Sequence, residues 1–181
     1  NLVHVLTAAD IEAKGVRQSI PDASLKDVNG KYIDGTWTTT TTLTDAAKNV
    51  STAATGSFVL DTTAPAAYTG NLKHDAPNDT GIKSDDSVTN NATPVLQINA
   101  ETGAKVEVDI HGNTYAATET STKGIYEVKV TDALPNAIYN PVVRVTDAVG
   151  NTTVDGVFVG FTVAGSGGAS GPISSTRTIS I

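Results

Sequence analysis

The 181-residue chain has no cysteine and no methionine. Without cysteine there is no disulfide framework, no thiolate metal site and no cysteine nucleophile. Without methionine there is no initiator residue, so the sequence reads as a piece of a longer chain. Aromatic residues are only 5%, too few for the stacking platforms of a sugar site. No run of eighteen apolar residues occurs, and no signal peptide opens the sequence, so no membrane insertion is expected. Basic residues are scarce: 12 Lys and Arg face 19 Asp and Glu, for a net charge of −7. That field repels nucleic acid and anionic lipid.

What is abundant is specific. Asp outnumbers Glu fourteen to five, and threonine occurs twenty-eight times. Asp, Asn and Gly favour turns, and Asp and Asn offer oxygen ligands to hard cations. Thr and Val favour strands over helices. The composition is that of an acidic, loop-rich, all-β extracellular protein. A secreted chain without disulfides needs other staples, and metal ions are one.

An internal repeat is present. Leu43-Thr-Asp-Ala-Ala-Lys-Asn-Val-Ser51 matches Val145-Thr-Asp-Ala-Val-Gly-Asn-Thr-Thr153, with Asp147 lying 102 positions beyond Asp45. At the same offset Trp37 falls on Tyr139 and Leu43 on Val145. A period near 100 residues suits an immunoglobulin-like sandwich. The predicted division is an incomplete unit over 1–61, a complete sandwich over 62–164, and a Gly/Ser linker with a stray strand over 165–181. The complete unit reads as seven strands: 66–73 (A), 94–100 (B), 104–111 (C), 114–119 (D), 125–130 (E), 139–146 (F) and 154–163 (G). Val106, Val108 and Ile110 alternate, as do Tyr126, Val128 and Val130. The first unit offers residues 2–6 as a strand like E, a helix-capable stretch from Ala8 to Lys14, then 36–44 like F and 51–60 like G. Strands A to D are missing from it, and three strands bury too little to be stable alone. Pro172 to Ile181 reads as the start of a next repeat or as a strand for an exposed edge.

Five phrases together resemble a known family: Leu60-Asp-Thr-Thr-Ala-Pro65, Asp79-Thr-Gly-Ile-Lys-Ser-Asp-Asp-Ser-Val-Thr-Asn90, Thr93-Pro94, Ala100-Glu-Thr-Gly-Ala104 and Val145-Thr-Asp-Ala-Val-Gly-Asn151. They resemble the bacterial Ig-like tandem repeats of large RTX and biofilm-type surface adhesins. The resemblance implies an extender at the bacterial cell surface, strung between neighbouring Ig-like repeats of the same chain and rigidified by calcium. A host or surface ligand would be met through other domains. The first unit departs from the pattern in its missing strands and in Lys48, where a Gly is usual.

Strand alternation places the carboxylates at two poles. The junction before A, the BC loop and the FG loop share one, so Asp61, Glu101, Asp147 and Asn151 are candidate calcium ligands there. The AB loop and the EF loop share the other, bringing Asp79, Asp85, Asp86 and Asp132 as a second candidate set. Calcium takes 6–8 oxygens, which carboxylates, amides and carbonyls supply. Ordinary turn chemistry is the alternative at both poles. His4, His74 and His111 lack metal or triad spacing and read as surface residues. No Gly-x-Ser-x-Gly elbow occurs, and Gly165 to Gly171 has no Lys for a phosphate loop. Thr38, Thr40, Thr42 and Thr44 share one strand face, as exposed β-branched residues commonly do. An enzyme is not expected. The alternative to an extender is a ligand-binding adhesin domain that contacts glycan, protein or ice.

Overall fold

The computed structural model describes residues 4–13, 18–80 and 83–165. The expected strand over 172–181 lies outside them, as do residues 2 and 3, Lys14 and the linker from 166 onward. The chain divides into two compact units, Asn1–Thr63 and Ala64–Ile181.

In the first unit, residues 4–7 form no strand, which corrects the E-like reading of 2–6. A helix, α1, spans Ala8–Glu12. Thr7 caps it: the Asp10 N–H donates to Thr7 Oγ1, and the Thr7 N–H donates back to Asp10 Oδ2. A 3-10 turn covers Asp22–Leu25. Strands β1 (Gly35–Thr41) and β2 (Ala54–Leu60) then pair antiparallel.

The second unit carries β3 (Tyr68–Leu72), β4 (Val88–Thr89), β5 (Val95–Asn99), β6 (Lys105–Ile110), β7 (Asn113–Ala116), β8 (Thr118–Glu119) and β9 (Ile125–Lys129). After these come β10 (Ala137–Tyr139), β11 (Val142–Thr146), β12 (Thr152–Thr153), β13 (Gly156–Phe158) and β14 (Phe161–Val163). One sheet has the order β13-β3-β5-β9-β8, and a second has β12-β11-β6-β7. A third ladder has the order β10-β14-β4. Burial follows the two-residue pleat. Leu96 and Ile98 of β5, Val106, Val108 and Ile110 of β6, and Val143 and Val145 of β11 are all buried in one cluster. Opposite faces stay polar: Glu107 on β6 pairs with Lys105 at 2.7 Å and Arg144 on β11 at 3.9 Å. This is the expected immunoglobulin-like sandwich, with its core between the sheets.

Three expected strands are broken by local chemistry. The D strand splits at Ala117: β7 pairs with β6, whereas β8 pairs with β9 in the other sheet. The F strand stops at Pro141, which has no N–H to give a ladder. The G strand breaks at Gly160, where a Cβ would lie 2.4 Å from Asn140 Oδ1 and 3.0 Å from the Tyr139 carbonyl. The break lets β13 pair parallel with β3 while β14 pairs with β10 and β4. Tyr139 OH donates to the Pro135 carbonyl at 2.7 Å, the tyrosine corner of immunoglobulin-like sandwiches.

Candidate functional site

The candidate ligands sit on turns built around aspartate. Asp147 follows β11, and its carboxylate closes the loop to β12. Its Oδ1 accepts from the N–H groups of Val149 (2.9 Å), Gly150 (2.7 Å) and Asn151 (2.9 Å), and its Oδ2 accepts from Asn151 Nδ2 at 2.8 Å. Burial alone would raise this carboxyl. The donors of Asn151, Val149 and Gly150 outweigh it and hold the group below the usual carboxylate range.

The same device occurs twice more. The Asp45 N–H donates to the Asn49 carbonyl, and the Asn49 N–H and Nδ2 donate to the Asp45 carboxylate. The Asp27 N–H donates to the Lys31 carbonyl, and the N–H groups of Asn29 and Lys31 donate to Asp27 Oδ1. The flanking residues pair in all three: Lys26 with Tyr32, Thr44 with Val50, Thr146 with Thr152. The fourth loop residue has positive φ each time, at Gly30 (79°), Lys48 (69°) and Gly150 (101°). Sequence comparison finds only two of the three, because Lys31 stands where the others have Asn. Its backbone N–H makes the bond that side-chain identity does not record.

The other two residues of the first candidate set belong to different units. Glu101 lies in the turn between β5 and β6 with its side chain exposed. Its carbonyl accepts from Tyr126 OH at 2.7 Å. Asp61 belongs to the first unit, where its Oδ1 accepts from the Thr63 N–H at 3.1 Å.

The second set is divided. Asp79 is buried, with 2% exposure. Its Oδ2 accepts from His74 Nδ1 at 2.6 Å and from the Ser87 N–H at 3.3 Å. Its Oδ1 is buried with no hydrogen-bond partner. His74, read from sequence as a surface residue, therefore faces a buried carboxylate. Nothing in a five-residue spacing across a loop signals that pairing. Asp86 Oδ1 accepts from the Val88 N–H at 3.1 Å, and Asp85 is exposed. Asp132 is tied elsewhere: its Oδ2 accepts from Tyr115 OH at 2.8 Å and Asn113 Nδ2 at 3.2 Å, binding the EF loop to β7. Among the described residues, no three His, Asp or Glu side chains are grouped closely enough to hold an ion.

A cavity of about 580 Å³ lies beside the AB loop, with Pro77, Asn78, Thr80, Asn91 and Lys129 in its lining. Its amides are engaged in bracing the loop. Asn78 Nδ2 donates to Asp75 and its Oδ1 accepts from the Val95 N–H, while Asn91 Nδ2 donates to the Pro77 carbonyl. No helix among the described residues is long and apolar enough to cross a membrane.

A family model described as a bacterial Ig-like domain matches residues 66–163, more than half of the 181 residues. No curated protein matches the chain.

Proposed function

Because the chain belongs to the bacterial Ig-like domain family, we propose that it is an extender module of a large bacterial surface adhesin, strung with neighbouring Ig-like repeats of the same polypeptide. The observation that carries this reading is repetition. The corner bond of Tyr139 and the aspartate loop of Asp147 recur in the first unit at Trp37 and Asp45, each 102 positions earlier. A chain that repeats its own sandwich signature is built for length. Its task is mechanical, to hold a distal binding region away from the cell.

Calcium is the proposed staple. The buried Asp79 Oδ1 supports this, because a desolvated carboxylate oxygen without a donor is costly unless a cation or water meets it. Asp85 and Asp86 on the same loop would supply further oxygens. At the other pole Asp147 would offer Oδ2, which accepts one donor, from Asn151 Nδ2, where Oδ1 accepts three N–H groups; Glu101 would add its carboxylate. When bound, the ion contributes charge neutralisation and cross-linking of loops.

Thermal melting in calcium, magnesium and chelator tests the proposal. Calcium at 100 times its Kd should add about 2.7 kcal/mol, with magnesium weaker. Asp79→Asn and Asp147→Ala should each reduce that gain. Identical melting curves in calcium and chelator would end the calcium reading.

A further inference from the structure

The outward side of the sheet β13-β3-β5-β9-β8 carries a patch of amides. Strand alternation buries Tyr68 and Leu72 of β3 and Leu96 and Ile98 of β5. It turns Thr69, Asn71, Gln97 and Asn99 the other way. Across the ladder Asn71 stands opposite Gln97, and Thr69 stands opposite Asn99. These four residues, with Val157 of β13 and Val159 just after it, line a cavity of about 220 Å³. Val157 is 65% exposed and Val159 is 53% exposed, so an apolar flank lies beside the amides.

These amides are not used by the fold. Asn99 Nδ2 donates to Thr69 Oγ1 at 3.2 Å, which orients that pair. Among the described residues, the side chains of Asn71 and Gln97 have no hydrogen-bond partner. In the cavity beside the AB loop, by contrast, Asn78 and Asn91 brace the loop. None of the described residues lining the sheet cavity is charged. Next along β3, the Lys73 ammonium is neutralised by Asp75 at 3.0 Å and Glu127 at 2.9 Å. The backbone is engaged too, because β3 lies between β13 and β5, and β5 between β3 and β9.

We propose that this cavity binds a neutral pyranose ring of a glycan. An anionic ligand would find no cation in the lining and a net charge of −7 on the chain. A cationic ligand would find no carboxylate there. An extended peptide needs the free N–H and C=O groups of a strand edge, and neither β3 nor β5 is an edge. What the cavity offers is amide N–H donors and C=O acceptors side by side, next to hydrocarbon. A pyranose complements both, with adjacent hydroxyls that give and take hydrogen bonds and with a C–H face. Val157 and Val159 take the place of the aromatic platform that the sequence lacks. The cavity is smaller than the roughly 300–1,000 Å³ of pockets for drug-sized ligands, which suits a single ring. This goes beyond the extender reading and does not require calcium.

Nuclear magnetic resonance titration of the full chain tests this. The probes are the methyl glycosides of glucose, galactose, mannose and N-acetylglucosamine. At least one should shift the side-chain amide signals of Asn71 and Gln97 saturably. The side-chain signals of Asn78 and Asn91, which are engaged within the AB loop, should stay in place as internal controls. Asn71→Ala and Gln97→Ala should each weaken binding several-fold. Neither should move the melting temperature, because neither side chain is bonded within the fold. The proposal is overturned if none of the four glycosides gives a saturable shift. It is also overturned if the backbone shifts of Thr69 and Val157 survive in the Asn71→Ala/Gln97→Ala double variant. A third outcome against it is that trialanine shifts these signals and the glycosides do not, since the occupant would then be a peptide.

Discussion

One backbone position separates the Asp45 loop from the Asp147 loop. Gly150 has φ of 101° and nothing within 4 Å of where a Cβ would stand. A side chain there meets no clash, so its cost is purely conformational, about 1–2 kcal/mol for a left-handed residue. Gly150→Ala should lose that much in a urea melt monitored on the second unit. Lys48, at φ 69°, already bears the strain, so Lys48→Gly should act in the opposite direction on the first hairpin. The carboxylate at the head of the loop gives a pH signature. Asp147 is held below its ordinary range in the folded state. Its stabilising contribution is therefore complete above the unfolded value, near 3.9, and is lost as pH falls through the lower folded value. Urea midpoints between pH 6 and 2 should drop on the acid side, and Asp147→Ala should drop less steeply. Parallel curves for both proteins would show that the loop's bonds do not depend on the charge.

At the scale of elements, the AB connection works as a latch. Asp79 joins His74, just past β3, to the Ser87 N–H beside β4, and the Ser87 carbonyl accepts from Thr162 on β14. Asp79→Ala leaves the His74 ring and a buried N–H without their acceptor, which costs about 1–3 kcal/mol for each group so orphaned. Asp85→Ala, on the exposed part of the same loop, should be within about 0.5 kcal/mol of the parent protein. Equal stability of the two variants would mean that Asp79 is not a latch. Such elements differ in how far sequence announces them. Val106, Val108 and Ile110 give β6 away by alternation, because one face is buried and one is wet. The split at Ala117 is silent, because 114–119 reads as one run although β7 closes a hairpin with β6 before it and β8 opens one with β9 after it. The aspartate loops were half legible. Asp and Asn at fixed spacing mark two of them, while the third is completed by the backbone of Lys31. The acidic poles were legible as charge but not as geometry, since turn-closing carboxylates and cation ligands use the same residues.

At the scale of the molecule, the two units contrast in what holds them. The second buries sixteen hydrophobic side chains in one cluster, at about 1.5–3 kcal/mol for each large one. The described residues of the first bury none, so its hairpin rests on ladder bonds, turns and half-covered aromatics, which is marginal for two strands in water. Cooperative unfolding should therefore belong to the second unit alone. Unfolding enthalpy scales as about 0.7 kcal/mol per residue near 60 °C, which gives roughly 70 kcal/mol for one sandwich and roughly 125 for the whole chain. Calorimetry should return the smaller figure, with the calorimetric and van't Hoff values agreeing. Hydrogen exchange should show the same division residue by residue. Amides of β5, β6, β9 and β11 should exchange only on global opening, and those of β1 and β2 should exchange much faster through local opening. If β1 and β2 prove as protected as β6, or if the enthalpy reaches the larger figure, the first unit has a core of its own.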